Sequence, residues 1–98
     1  MSDDELRNIL IDFGIRPTRQ RVSLIDLLLE SERRPATIKS VVKHVQDNRR
    51  PISRATVRKS LRAFERSGLM SSCVAMGSRE TCFTLNQLPA NGSKADGR

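Results

Sequence analysis

The stretch "ISRATVRKSLRAFERSGLM", residues 52–70, decides the fold. It reads as one helix with a stop at each end. Ser53 is a strong N-cap residue, whose hydroxyl can accept from a free amide of the first turn. Val57, Leu61 and Phe64 recur at spacings of four and three, which puts them on one face. Gly68 stands where a left-handed residue closes a helix. The opposite face carries Arg54, Ala55, Arg58, Lys59, Arg62 and Arg66, and Glu65 is the one acid of the stretch. Intrahelical ion pairs cannot neutralise a face of a single sign. A solvated surface would explain one charged helix, but what surrounds this helix favours an anionic partner.

Upstream, three shorter helices are expected. The first spans Asp3 to Phe13, with Leu6, Ile9, Leu10 and Phe13 at helical spacing and Ser2 or Asp3 as cap. Gly14 follows as its C-terminal glycine. Pro17 keeps Arg16 out of a helix, and Thr18 caps a second helix whose buried stripe is Val22, Ile25, Leu28 and Leu29. Arg19 and Arg21 lie in its first turn, where cations oppose the helix dipole. Their presence there points weakly to an external anion. Thr37 caps a third helix that buries Ile38, Val41, Val42 and Val45 and ends near Asp47 and Asn48. "NRRP", residues 48–51, is a short link to the fourth helix.

After Gly68 the period changes to two. Met70, Val74, Thr81, Phe83 and Leu85 alternate with Ser71, Cys73, Glu80, Cys82 and Thr84, and Gly77-Ser78 suits a hairpin turn. The order is four helices and then a hairpin, mainly α with a small antiparallel hairpin. That is a winged helix-turn-helix, in which the last helix enters the major groove and the hairpin is the wing. Residues 1–88 form the expected domain. The tail 89–98, "PANGSKADGR", is small and polar and reads as disordered.

Composition agrees. The 98 residues suit one domain. The net charge is +7, and residues 49–66 hold seven basic side chains against one acid. A local basic block suggests a phosphate-facing surface, where uniform basicity would suggest only solubility. Three Phe and no Trp or Tyr leave few rings on which single-stranded bases could stack. No apolar run is long enough to span a bilayer. The start "MSDDEL" is unlike a signal peptide, so the default location is cytoplasmic, with nucleoid association if DNA is bound. One His, no G-x-S-x-G and no phosphate-binding glycine loop give no support to an enzyme.

Two motifs carry a family resemblance. "GIRPTRQR" matches a G-x-R-x-T-x-x-R opening at Gly14, Arg16, Thr18 and Arg21. "ISRATVRKSLRAFERSGLM" matches I-S-x-A-T-V-Y-R-x-L-x-x-L-x-x-x-G-L-V at Ile52, Ser53, Ala55, Thr56, Val57, Leu61, Gly68 and Leu69. Together, and at this separation, they resemble the DNA-binding part of the ferric uptake regulator (Fur) family, over about residues 3–86. The resemblance implies a DNA-binding transcriptional regulator, of repressor type. It also marks departures. Arg58 and Lys59 stand where the family has Tyr and Arg, and Thr84 where a metal-binding Glu often stands. The family's dimerisation domain, its His-rich metal-sensing motifs and its C-x-x-C zinc site have no counterpart in these residues.

The expected DNA site follows. Ala55, Thr56, Arg58 and Lys59, in the front half of the fourth helix, are placed to read bases. Arg16, Thr18, Arg19, Arg21, Arg49, Arg50, Ser53, Arg54, Arg62 and Arg79 are placed to hold phosphates, Arg79 from the wing. His44 is a surface residue, since a metal site needs several converging ligands. No metal or cofactor is expected. If Gly77-Ser78 is a two-residue loop, Cys73 faces Cys82 across the strands. Two small half-buried residues are the plain reading of that pair, and a redox switch the sharper one. The expected partner is double-stranded DNA, with no membrane and no small-molecule substrate. A homodimer or a protein partner stays open, as do an adaptor or decoy role and non-specific nucleic-acid binding.

Overall fold

In the computed structural model, residues 2–30, 35–74, 77 and 79–86 are described. The tail expected to be disordered lies outside them, as do Ala75, Met76 and Ser78 of the hairpin turn. The elements are α1 (Asp3–Asp12), α2 (Arg19–Glu30), β1 (Ala36–Thr37), α3 (Ile38–Asp47), α4 (Arg54–Ser67), β2 (Met70–Val74) and β3 (Thr81–Leu85). The four helices and the hairpin stand in the expected order.

The caps explain the helix starts. Ser2 and Glu5 form a capping box on α1: the Ser2 N–H donates to Glu5 Oε1 at 2.8 Å, and the Glu5 N–H donates to Ser2 Oγ at 3.3 Å. The Ser2 N–H, and after it the Ser2 hydroxyl, hold the Glu5 carboxyl below its usual range by hydrogen bonding to its charged form. Thr18 Oγ1 accepts from the Arg21 N–H, Thr37 Oγ1 from Ser40 and Ser53 Oγ from Thr56.

Two helices end in the same turn built from different residues. After α1 the Gly14 N–H donates to Ile11 O and the Ile15 N–H to Leu10 O. After α3 the Arg49 N–H donates to Gln46 O and the Arg50 N–H to Val45 O. Both are Schellman motifs, which need a left-handed residue at the pivot. Gly14 takes it at φ +74°, and Arg49 takes it at φ +54° with a full side chain.

One aliphatic core joins all the layers. α2 is its central helix, burying Val22, Leu24, Ile25, Leu27 and Leu28. Leu24 and Leu27 lie outside the expected stripe because α2 packs on α1 at one side and α4 at another. Leu29, expected inside, is only partly buried, as is Ile38. α3 contributes Val41, Val42 and Val45, and α4 contributes Val57, Leu61 and Phe64.

The sheet has one strand more than expected. β1 pairs antiparallel with β3, giving the order β1-β3-β2. Phe83 lies opposite Ala36 on one side and Ser72 on the other, and is buried. Met70 and Leu85 face each other, also buried. Val74, grouped with Met70 by the alternation, is 61% exposed. It shares a face with Met70, but β2 is buried only at Met70 and its remaining residues run past the core. Asn86 fixes the hairpin base. Its N–H donates to Leu69 O, its Nδ2 donates to Gly68 O at 2.7 Å, and its Oδ1 accepts from Ser71 Oγ.

Candidate nucleic-acid interface

The buried face of α4 fixes where its charged face looks. Val57, Leu61 and Phe64 are fully enclosed, and so is Ser60, whose small side chain lets α4 sit close to its neighbours. Arg54, Ala55, Arg58, Lys59, Arg62 and Arg66 are exposed on the other side. Among the described residues none of these five cations forms an ion pair. A row of uncompensated charge repels itself, and an external polyanion relieves that repulsion. Gly68, left-handed at φ +91°, ends the helix.

The base-reading candidates divide. Ala55, Arg58 and Lys59 are exposed, whereas Thr56 is half-buried and accepts a hydrogen bond from Ser53 Oγ at 2.9 Å. Thr56 and Ser53 thus complete the start of α4. Thr18 has the same capping role on α2.

The flanking cations gather in separate places. Arg54 and Arg58 line an open groove with Thr37, Ile38, Lys39, Val42, Glu80 and Thr81. This groove lies between α3, α4 and β3, beneath the wing. Lys39 is a cation that the sequence reading missed. Its signal is its place on the exposed face of α3, two residues after the Thr37 cap. At the far end of α4, Arg66 shares a cleft with Arg16 and Arg21, which come from the α1–α2 turn and the start of α2. The Arg21 guanidinium donates to Arg16 O at 3.3 Å, so the two are held together. Arg62, Arg49 and Arg79 are exposed.

Arg19 and Arg50 stand apart. They share a cleft with Asp3, Arg7 and Asp26. Arg50, expected to face phosphate, turns back onto α2. Its Nη1 donates to Ser23 Oγ at 3.0 Å, and its Nη2 lies 3.2 Å from Asp26 Oδ2 and 3.6 Å from Glu30 Oε1. The carboxylates of α2 hold this guanidinium more strongly than solvent would. Arg50 therefore ties the α3–α4 turn to the core helix.

His44 is exposed in the last turn of α3. Among the described residues no group of three or more His, Cys, Asp or Glu converges to hold a metal ion. No described helix is long and apolar enough to cross a membrane.

A capped basic helix, a helix-turn before it and a hairpin after it, joined to β1 in a three-stranded sheet, define a winged-helix domain of the type found in transcription regulators. Residues 12–92 match the model of the ferric uptake regulator family, and the chain belongs to that family. Members of the family are transcriptional regulators, not enzymes. Solved structures agree on the fold. The ferric uptake regulator of Pseudomonas aeruginosa, solved with manganese, has 25% identity and a TM-score of 0.76 over 89% of this chain and 62% of its own. That of Vibrio cholerae, whose structure shows a rearrangement of its DNA-binding domains, has 23% identity and a TM-score of 0.75 over 83% of this chain and 61% of its own. The PerR protein of GAS is similar too, at 20% identity and a TM-score of 0.68 over 85% of this chain and 52% of its own. The chain thus spans about three fifths of the first two relatives and half of the third. No curated protein matches it in sequence.

Proposed function

We propose that this chain binds duplex DNA as a transcriptional regulator, laying α4 in the major groove, and that the binding needs no metal. The observation that carries the reading is the face of α4, five cations without an ion pair among the described residues. The V. cholerae relative has DNA-binding domains, and the shared fold supports the same use here. At a rise of about 1.5 Å per residue, the 14 residues of α4 make a rod of about 21 Å. Its side chains suit a major groove about 12 Å wide.

Roles follow from position. Arg58 and Lys59, one turn into α4, reach base edges, with Ala55 beside them against a thymine methyl or the backbone. Arg58 can bond a guanine edge through two parallel hydrogen bonds, worth about 1–3 kcal/mol of discrimination. Arg54 and Lys39 hold phosphates near the wing, with Arg79 beside them from the wing itself. Arg16, Arg21 and Arg66 form a second clamp at the other end, while Arg49 and Arg62 add further exposed charge and Arg19 adds to it from a separate cleft. Phosphate contacts fix register, and base contacts specify.

Selection of bound duplexes from a random pool, followed by polarisation titrations, tests this. Arg58→Ala should relax preference at one or two positions. Arg16→Ala should weaken all sequences alike and lower the slope of log affinity against log salt by about one. A chelator should leave affinity unchanged. Absence of duplex binding at low salt would refute the proposal, and retention of random sequences alone would reduce it to non-specific binding.

A further inference from the structure

The register of the hairpin places Cys73 directly opposite Cys82. Both point to the face that also carries Ser71 and Thr84, away from the buried Met70, Phe83 and Leu85. Free cysteine is among the most buried residue types. Here Cys73 is exposed, Cys82 is half-buried, and neither belongs to the core. Packing therefore gives no reason for a thiol at either position, let alone at both members of one cross-strand pair. Directly opposed residues of an antiparallel pair have Cα atoms about 4.5 or 5.5 Å apart. Both spacings fall inside the range of about 4.4–6.8 Å that a disulfide spans.

We propose that Cys73 and Cys82 are a dithiol–disulfide redox site built into the wing, and that its oxidation changes how the wing meets DNA. The oxidant is a low-molecular-weight disulfide of the glutathione class. The exposed Cys73 thiolate attacks one sulfur of that disulfide. A Cys73–glutathione bond forms, and one glutathione thiolate leaves with the electron pair of the broken S–S bond. The Cys82 thiolate then attacks the Cys73 sulfur and expels the second glutathione thiolate. Two protein thiols lose two electrons and two protons, and one disulfide becomes two thiols. The bridge draws the facing Cβ atoms in to about 3.8 Å, closer than an unlinked pair holds them. That tightens the twist of β2 against β3 three residues from Arg79, and moves the wing's cation relative to the duplex.

The effect on DNA rests on the function proposed above, whereas the disulfide itself does not. The full chain is equilibrated in glutathione buffers from reducing to oxidising, and read by intact mass and by counting free thiols. The expected product has lost two hydrogens, has no free thiol, is not covalently linked to a second chain and is restored by a dithiol reductant. Cys73→Ser and Cys82→Ser should each stop at a glutathione adduct, and C73S/C82S should not respond. A wild-type chain that keeps both thiols, retains glutathione or links to a second chain would overturn the site. In polarisation titrations the oxidised form should bind with a salt slope lower by about one, as for one lost phosphate contact. Equal titrations for oxidised and reduced protein would overturn the regulatory part. If the reduced protein binds no duplex, the DNA-binding function fails and the mass result still decides the redox site.

Discussion

Arg49 occupies a backbone conformation that suits glycine. Gly14 does the same turn after α1 without cost, yet after α3 the chain keeps an arginine at φ +54°. A left-handed conformation costs a side-chain-bearing residue about 1–2 kcal/mol. Strain that a glycine would remove is retained where the side chain has a use. Arg49→Gly should therefore raise stability and lower DNA affinity together. Allowing about 0.4–1 kcal/mol for the extra freedom of glycine in the unfolded chain, the net gain is about 0.5–1 kcal/mol. In a domain of this size that is a rise in Tm of about 2–8 °C. Calorimetry and a polarisation titration on the same sample check both signs; unchanged affinity would show that Arg49 touches no phosphate. Near the N-terminus, the depressed pKa of Glu5 predicts a weakness to acid. A lowered folded-state pKa contributes stability that is present above the unfolded value and lost as pH falls through the folded one. Amide protection factors at the start of α1, taken relative to intrinsic exchange at each pH, should fall on acidification, and Glu5→Gln should remove that pH dependence.

Among the elements, helices were legible and the sheet only partly so. Ser53, Val57, Leu61, Phe64 and Gly68 state α4 within one segment, because caps and period are local. Phe64→Ala should cost about 3–5 kcal/mol by emptying a fully enclosed site, read in denaturant titrations. α2 was read too narrowly, since Leu24 and Leu27 are buried by two neighbours that lie on different sides. β1 carries no signal of its own, because two residues become a strand only when Phe83 and Cys82 arrive from the other half of the chain. The Cys73–Cys82 register is the one expected from a turn centred on Gly77-Ser78, although Ser78 itself lies outside the described residues. The alternation that grouped Val74 with Met70, Phe83 and Leu85 was also correct in phase. Phase does not tell how far the core extends. In the candidate site, the exposed face of α4 could be read from the period, while the inward turn of Arg50 could not. Asp26 and Glu30 are more than one helix away in sequence and meet Arg50 only after folding.

At the scale of the molecule, charge is sorted. Residues 49–66 hold seven of the chain's 18 basic side chains, and of these Arg50 alone is ion-paired among the described residues. The other six leave a field that steers a polyanion toward one side. Arg50→Met should leave that field almost intact and loosen the turn between α3 and α4. A partly exposed pair with one further hydrogen bond is worth about 1 kcal/mol. The loss should show in thermal unfolding and should shrink with added salt. Selected duplexes carry a further readout. A dimer of this chain would enrich paired half-sites about 34–36 Å apart, and a monomer a single half-site.

The Asn86 side chain joins the carbonyl of Gly68, at the end of α4, to the first strand of the hairpin, through Gly68 O and Ser71 Oγ. α4 and the wing therefore share one root, which couples them. On the proposed function, such a fork would adapt little to grooves of different width, and the duplex would have to adapt instead, at an energy set by how easily its own base steps deform. Base pairs that neither prong touches would then still be chosen, by their stiffness.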